Sequence, residues 1–306
     1  MIYTVTLNPS LDYVASVKQF RVGTVNRSEG EVIMPGGKGI NVSLMLKALG
    51  HESQALGFLA GFTGEEIRRL VSERGVSENF LFLKNGFSRI NMKLKSNDET
   101  EINGAGPFIS EAEREDFMRI LEANVCDGDI LVLSGSAPKS LPSTFYGDII
   151  RTVSDKNVKV VADVSGQTLW SVLPYRPFFV KPNHHELGEL FGTSVRTREE
   201  AAFYARKLQN EGAENVMVSL AGAGAVLVTG NAVYYADAPS GEVKNSVGAG
   251  DSAVAGFLAG WLCEQNAEYA LTLAVAAGSA TAFSQSIAEG DEVAALIHRV
   301  KINKKL

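Results

Sequence analysis

Residues 245–261 read NSVGAGDSAVAGFLAGW. Three small residues, Gly248, Ala249 and Gly250, lead into a single carboxylate, Asp251, and an apolar helical stripe follows. If a helix begins near Asp251, the amides of residues 248–251 have no intrahelical acceptor and carry the positive end of the helix dipole. Glycine lets an anion come close to such a backbone. The arrangement would stabilise developing negative charge, as on a phosphoryl group in transfer. An acid beside it can take the proton of an attacking hydroxyl. The same residues also suit an acid that merely caps or begins a helix.

A second glycine cluster, PGGKGINVSLMLKALG (35–50), also precedes a helical pattern. Gly36 and Gly37 permit close backbone approach to a ligand, and Lys38 and Asn41 supply donors; a glycine turn entering a core helix is the plainer reading. The segment NPSLD (8–12) places Asp12 just past a candidate strand, where open α/β sheets bind ligands, although a lone acid there also suits a turn. The glycines do not fit two common nucleotide loops. A Walker A loop ending at Gly37-Lys38 would need Gly at Val32 and Ser or Thr at Gly39. A G-x-G-x-x-G fingerprint from Gly248 meets Ala253 at its sixth position, and from Gly222 it meets Leu227. The adjacent His184 and His185 lack the H-E-x-x-H spacing of a zinc site.

These residues need a scaffold. Short apolar runs at 2–7, 130–134, 158–163, 178–181, 216–220 and 225–228 read as strands buried on both faces. Val42, Met45, Leu46 and Leu49 follow helical spacing, as do Val254, Phe257, Leu258 and Trp261. Alternation of strand and helix predicts an α/β fold with a mostly parallel central sheet flanked by helices on both faces. SRINMKLK (88–95) differs: Arg89, Asn91, Lys93 and Lys95 share one face, and Ile90, Met92 and Leu94 the other. Such a strand suits a small side sheet over a cleft, paired with residues from about 13 to 34, or an ordinary sheet edge. As a lid, its apolar outer face could pair with another subunit.

The 306 residues carry 29 basic and 35 acidic side chains, a net charge of −6, which argues against a general nucleic-acid surface. Two cysteines, Cys126 and Cys263, suggest no disulfide framework. The first residues lack the pattern of a secretory signal, and no apolar run is long enough for a membrane span. A soluble cytoplasmic protein is expected.

Taken together and in order, NPSLD, PGGKGINV, SGSAP (134–138), KPNHHE (181–186), SLAGAGAVLV (219–228) and NSVGAGDS resemble the ribokinase-like, PfkB-type carbohydrate kinases over essentially the whole chain. The resemblance implies one kinase domain over 1–306, with a β lid built from segments near 13–34 and 86–106. It also implies transfer of a phosphoryl group from ATP, with Mg²⁺, to a sugar. KPNHHELGELFG and GGKGIN are similar to segments of relatives acting on ketohexose phosphates, fructose 1-phosphate first and tagatose 6-phosphate beside it. Fructose 6-phosphate remains an alternative acceptor, and a non-catalytic sugar-phosphate sensor is the rival from another class.

By this resemblance Asp251 is the general base, and the amides of Gly248, Ala249 and Gly250 form an anion hole. Asp12, Gly37 and Asn41 line the sugar pocket; Lys38, Arg89, Asn91, Arg27 and Ser136 complete it, the cations serving the phosphate. Lys181, Asn183, Ser219, Gly222, Gly224 and Ser284 attend ATP. Asn183 and Glu186 form an N-x-x-E element near Mg²⁺, acting through water. Ala221 departs from the pattern, standing where relatives often have Gly. The expected partner is a phosphosugar, and a homodimer through the lid is the expected assembly.

Overall fold

A computed structural model describes residues 1–230 and 232–305. In chain order its first part runs β1 (Ile2–Thr6), β2 (Ser10–Ser16), β3 (Gly30–Gly36), α1 (Lys38–Ala48), β4 (Gln54–Ala60), α2 (Gly61–Glu73), β5 (Ser77–Glu78), β6 (Leu81–Leu83), β7 (Arg89–Lys95) and β8 (Glu99–Asn103). Then come α3 (Glu111–Asn124), β9 (Ile130–Ser134), α4 (Phe145–Thr152), β10 (Lys159–Asp163), α5 (Gly166–Val172), β11 (Phe179–Val180), α6 (His184–Phe191) and α7 (Arg198–Asn210). The chain continues through β12 (Asn215–Ser219), β13 (Ala225–Val228), β14 (Val233–Asp237), α8 (Ala249–Glu264), α9 (Ala267–Phe283), α10 (Gly290–Ile297) and β15 (Lys301–Lys305).

The main sheet runs β15-β14-β13-β12-β11-β10-β9-β1-β4-β5, with β6 also paired to β4. From β5 to β12 the pairs are parallel; β13, β14 and β15 add an antiparallel flank. Alternation within single strands explains the two helical layers. Leu131 and Leu133 of β9 pack with α3, α4, α5 and α7, whereas Ile130 and Val132 pack with α1, α8, α9 and α10. A strand apolar on both faces belongs in the middle of a covered parallel sheet. The flank ends in the exposed edge strand KINKK, whose lysines oppose further edge pairing. No helix among the described residues is long and apolar enough to cross a membrane.

Helix α8 is buried from Asp251 to Gly260. Gly256 and Gly260 make this possible: a Cβ at either would lie 2.9 Å from Ala274 Cα or 2.7 Å from Ala270 Cα on α9. The two backbones therefore pack face to face, and the N-terminus of α8 is held by its neighbours.

The second sheet has the order β3-β2-β7-β8, with β2 and β7 parallel and the other pairs antiparallel. It starts at Ser10 rather than near residue 13, so Asp12 is a lid-strand residue and not part of a turn after the first strand. The strands β4, β5, β6, β14 and β15 lie outside the expected ones, whereas β8 falls within the expected lid segment 86–106. QALGFLA of β4 has no alternation and carries Gly57, whose backbone lies against Thr6 of β1.

Candidate active site

The C-terminal ends of β1, β9, β10, β11 and β12 face the cleft under the small sheet, and the candidate residues collect there. Gly248 is the N-cap of α8, with φ 81° and no side chain to close the helix end. Asp251 sits in the first turn, 5% exposed. Its Oδ2 accepts a 2.8 Å hydrogen bond from Asn41 Nδ2 at the start of α1, so it does not serve as the cap of its own helix. Of the three amides expected to form an anion hole, that of Ala249 turns back to Ser246 O at 3.3 Å. Among the described residues, the N–H groups of Gly248, Gly250 and Asp251 have no acceptor, and these are the donors left at the mouth.

Sequence reasoning missed Asp163, the last residue of β10, although an acid ending a buried parallel strand is a readable signal. It is 2% exposed. Lys38 Nζ lies 3.3 Å from its Oδ2 and Lys181 Nζ 3.4 Å from its Oδ1. Burial alone would raise the Asp163 carboxyl; the charges of Lys181 and Lys38 overcome it and hold the group below its ordinary range. Asp251 goes the other way. Burial, then the nearby Asp163 charge, push it up to about 6, against the pull of Lys38, Asn41 and Lys181. Lys38 is held charged chiefly by Asp163, with further help from Asp251 and Glu186, against the cost of burial. Lys181 Nζ would lie 3.1 Å from a Cβ placed on Gly250, so its ammonium stands at the mouth of α8.

Above this floor, β2 and β7 present Asp12, Asn91 and Lys93, all under 9% exposed, to the cleft. Asp12 Oδ1 accepts from Ser10 Oγ at 2.6 Å and from Asn91 Nδ2 at 3.0 Å. Its Oδ2 is paired with Lys93 Nζ at 3.1 Å. Lys93 was placed on the correct face by alternation but not selected as a site residue. Arg89 is half-buried and donates Nε to Asn8 O at 3.0 Å; burial lowers its pKa, against the pull of Asp12. It makes no ion pair with any described residue.

Two cavities adjoin this arrangement. One of about 230 Å³ holds Arg89, Lys38, Gly37, Ser136, Asp163 and Glu186; Asn8 Oδ1, Ser134 Oγ and Asp163 Oδ2, also on it, are buried without hydrogen bonds. The other, about 500 Å³, lies under the lid and is bounded by Asp12, Lys93, Asn41, Val14, Met34 and Asn245. Gly37, with φ 127°, approaches Thr6 so closely that a Cβ would lie 2.6 Å from its Cγ2. Arg27 is not brought to either cavity: it is exposed on the loop between β2 and β3.

Asn183 and Glu186 prove to be a capping box on α6. Asn183 Oδ1 accepts from the His185 and Glu186 amides, both at 2.9 Å, and Glu186 Oε2 accepts from the Asn183 amide at 2.8 Å. Only Glu186 Oε1 turns toward the cleft, 4.0 Å from Lys38 Nζ. Asn183 is bridged to Ser219 at the end of β12. Beyond it, residues 221–223 form a tight turn, with Ala221 at φ 49° and Gly224 at φ 89°. Arg198 donates to the Ala223 carbonyl and pairs with Asp237 at 2.6 Å, fastening Gly222 and its neighbours. Ser284 ends α9, where its Oγ donates to Glu292 Oε1 at 2.7 Å.

Comparison with known proteins gives this geometry a lineage. The chain is 51% identical over 306 residues to the 1-phosphofructokinase of Bacillus subtilis (strain 168), covering 99% of this chain and all of that one. It is 35% identical to a tagatose-6-phosphate kinase of Staphylococcus epidermidis (strain ATCC 35984), with 93% of each covered. Its structure is similar to phosphofructokinase-2 from Escherichia coli, at 28% identity with 97% of this chain and 98% of that one covered. The TM-score is 0.91 for the complex with substrates and products and 0.90 for a tetrameric inhibited form. The pattern of the pfkB family carbohydrate kinases matches residues 6–293, and with a parallel sheet, a β lid and an acid at an open helix mouth between them, this chain belongs to that family.

Proposed function

We propose that this protein transfers the γ-phosphoryl group of ATP to a ketohexose phosphate, with fructose 1-phosphate as acceptor and its 6-hydroxyl as nucleophile. The observation that carries this reading is Asp251: a buried carboxylate raised to about 6, at the uncapped N-terminus of α8, facing a cleft that also holds an unpaired guanidinium. A group poised there is ionised at neutral pH yet basic enough to accept a hydroxyl proton. As the sugar oxygen forms its bond to the γ-phosphorus, its proton passes to Asp251 and the bond to the ADP oxygen breaks. The free amides of Gly248, Gly250 and Asp251 meet the charge on the transferring group, and Lys181 adds a cation at the same mouth.

The acceptor's phosphate belongs with Arg89, Lys38 and Ser136. Lys38 is already balanced by Asp163 and Glu186, whereas Arg89 feels Asp12 only at a distance and has its terminal nitrogens unused, the state in which a guanidinium best receives an anion. An unphosphorylated sugar would leave that charge unanswered. The donor set suits Mg²⁺, a hard cation that keeps waters: Glu186 Oε1 and Asp163 Oδ2, which now share the Lys38 ammonium at 4.0 and 3.3 Å, lie on one cavity and would supply oxygen ligands. Bound there with ATP, the ion would neutralise phosphate charge. The turn at Ser219–Gly224 and the segment ending at Ser284 would attend the nucleotide.

The 51% identity to a 1-phosphofructokinase supports fructose 1-phosphate, and the tagatose-6-phosphate kinase relative keeps that sugar as the second reading. The outer lid residues Ile33, Ile90, Met92 and Ile102 are each over 40% exposed, and we assign them to a homodimer contact. The deciding experiment is kcat/KM for fructose 1-phosphate, fructose 6-phosphate and tagatose 6-phosphate under identical conditions, following ADP release. Fructose 1-phosphate should lead by at least about tenfold. Release from none of them would reject the kinase reading in favour of a sensor.

A further inference from the structure

Resting on the reading of the cleft as a ketohexose-phosphate site, we propose that Lys93 is a specificity-determining residue: its ammonium and the Asp12 carboxylate together read one hydroxyl of the sugar. Lys93 comes from β7 and Asp12 from β2, two parallel lid strands whose register sets Asn91 opposite Asp12 and Lys93 opposite Val14. The lysine reaches back along the strand to Asp12 and is buried, with 8% of its side chain exposed. A buried ammonium on an otherwise half-open sheet is costly unless its donors are used.

Counting donors and acceptors shows what is left for a ligand. Lys93 has three N–H groups. One meets Asp12 Oδ2 at 3.1 Å; Glu101 Oε1, at 3.9 Å, is near enough for charge balance but too far for a hydrogen bond. Asp12 Oδ1 already accepts from Ser10 and Asn91, while Oδ2 has only Lys93. A donor on Lys93 and an acceptor on Asp12 Oδ2 thus lie side by side on the 500 Å³ cavity. A hydroxyl answers both, since its oxygen can accept from the ammonium while its proton goes to the carboxylate.

Charge distinguishes this pair from the phosphate cation. Lys93 has two carboxylates within 4 Å, so it has no net charge to offer a phosphate. Arg89, four residues earlier on the same face, has none. One strand therefore carries a cation for the anion and, separately, a neutralised cation for the sugar. A sugar lacking the hydroxyl would leave both members of a buried pair short of a partner, a stronger ground for rejection than a missing apolar contact.

The test pairs enzyme variants with deoxy substrates. Wild-type enzyme and Lys93→Met are assayed with fructose 1-phosphate and with its 3-deoxy and 4-deoxy analogues and the 2,5-anhydro analogue. In the wild type, one analogue should lose about 10- to 100-fold in kcat/KM. In Lys93→Met the parent sugar should lose a similar factor through KM, with KM for ATP unchanged, and the penalty for that one analogue should shrink to a few-fold. Equal penalties in both enzymes would reduce Lys93 to a strut of the lid and overturn the proposal. Should Lys93→Met not fold, calorimetric binding of the same series to wild-type enzyme decides: no analogue weakened beyond a few-fold also overturns it. If wild-type enzyme turns over none of the phosphosugars, the kinase reading itself has failed, an outcome separate from any result on Lys93.

Discussion

Two buried carboxylates share the floor of the cleft and are held in opposite ways. Asp163, at the end of β10, lies between two ammonium groups and is pulled below its ordinary range once burial is overcome. Asp251, at the mouth of α8, has one amide donor, Asn41, and is pushed up to about 6 by burial and by Asp163 itself. The same lysines lower both, but they stand in ion-pair distance of Asp163 only. Compensation makes a carboxylate a structural anion; withholding it makes one a base. Asp163 is therefore more than scaffold: its charge helps keep Asp251 receptive to a proton.

The largest expected effects break this pair. Asp251→Asn should lower kcat by about 10²- to 10⁴-fold while ATP still binds. It should also raise Tm at pH 7, because the raised pKa means that folding disfavours the ionised form. The sign follows from proton binding: between about pH 4 and 6 the folded state holds a proton on Asp251 that the unfolded chain releases. Wild-type stability from this group falls as pH rises through that window, and Asp251→Asn should flatten that slope in denaturation curves. A variant with near-normal kcat would reject Asp251 as the base.

Asp163→Asn should do the reverse to stability. It leaves Lys181 without its ion-pair partner and should cost about 3 kcal/mol in urea unfolding. Its contribution is present at neutral pH and lost as pH falls below the ordinary carboxylate range. Because the Asp163 charge raises Asp251, the same variant should move the acid limb of kcat/KM from near pH 6 to lower pH. An unmoved limb would separate the two acids and remove the coupling argued above.

How far these roles were legible depends on whether the signal was local. The α8 mouth was readable because glycines and one acid at a helix start are a short-range pattern. Alternation along β7 was readable for the same reason, and it ordered Arg89, Asn91 and Lys93 correctly. Asp163 was not picked out, because its significance lies in Lys38 and Lys181, brought in by other segments of the fold. Asn183 and Glu186 show the converse. Their spacing is equally that of a capping box, and in the fold their three hydrogen bonds close the start of α6. Asp12 was expected at the end of the first strand, with a turn as the alternative, because NPSLD runs from one sheet straight into the other. Strand β4 was missed because QALGFLA is apolar without a period.

A smaller effect sharpens the rule about compensation. Arg89 is half-buried, and like Asp251 it lacks an ion-pair partner among the described residues. Arg89→Ala should raise KM for fructose 1-phosphate by about 10- to 100-fold, with KM for ATP and Tm little changed. An unchanged KM for the phosphosugar would place the phosphate elsewhere, with Lys38 as the next cation to replace.

The smallest expected effect asks whether conformational strain contributes as electrostatics does. Gly248 and Ala221 both open turns toward the cleft with positive φ, 81° and 49°. At Gly248 the residue suits the backbone. At Ala221 a Cβ occupies a left-handed conformation that disfavours it by about 1–2 kcal/mol, offset in part by the lower entropy of Ala in the unfolded chain, about 0.4–1 kcal/mol. Ala221→Gly should therefore gain no more than about 1 kcal/mol in stability. Arg198, bonded to the Ala223 carbonyl, holds the turn in either case, so KM for ATP should stay within about twofold, since substitutions away from charged contacts shift energies by about 0.5 kcal/mol or less. A larger rise in KM would mean that the strained alanine, and not the Arg198 clamp, shapes the nucleotide side of the cleft.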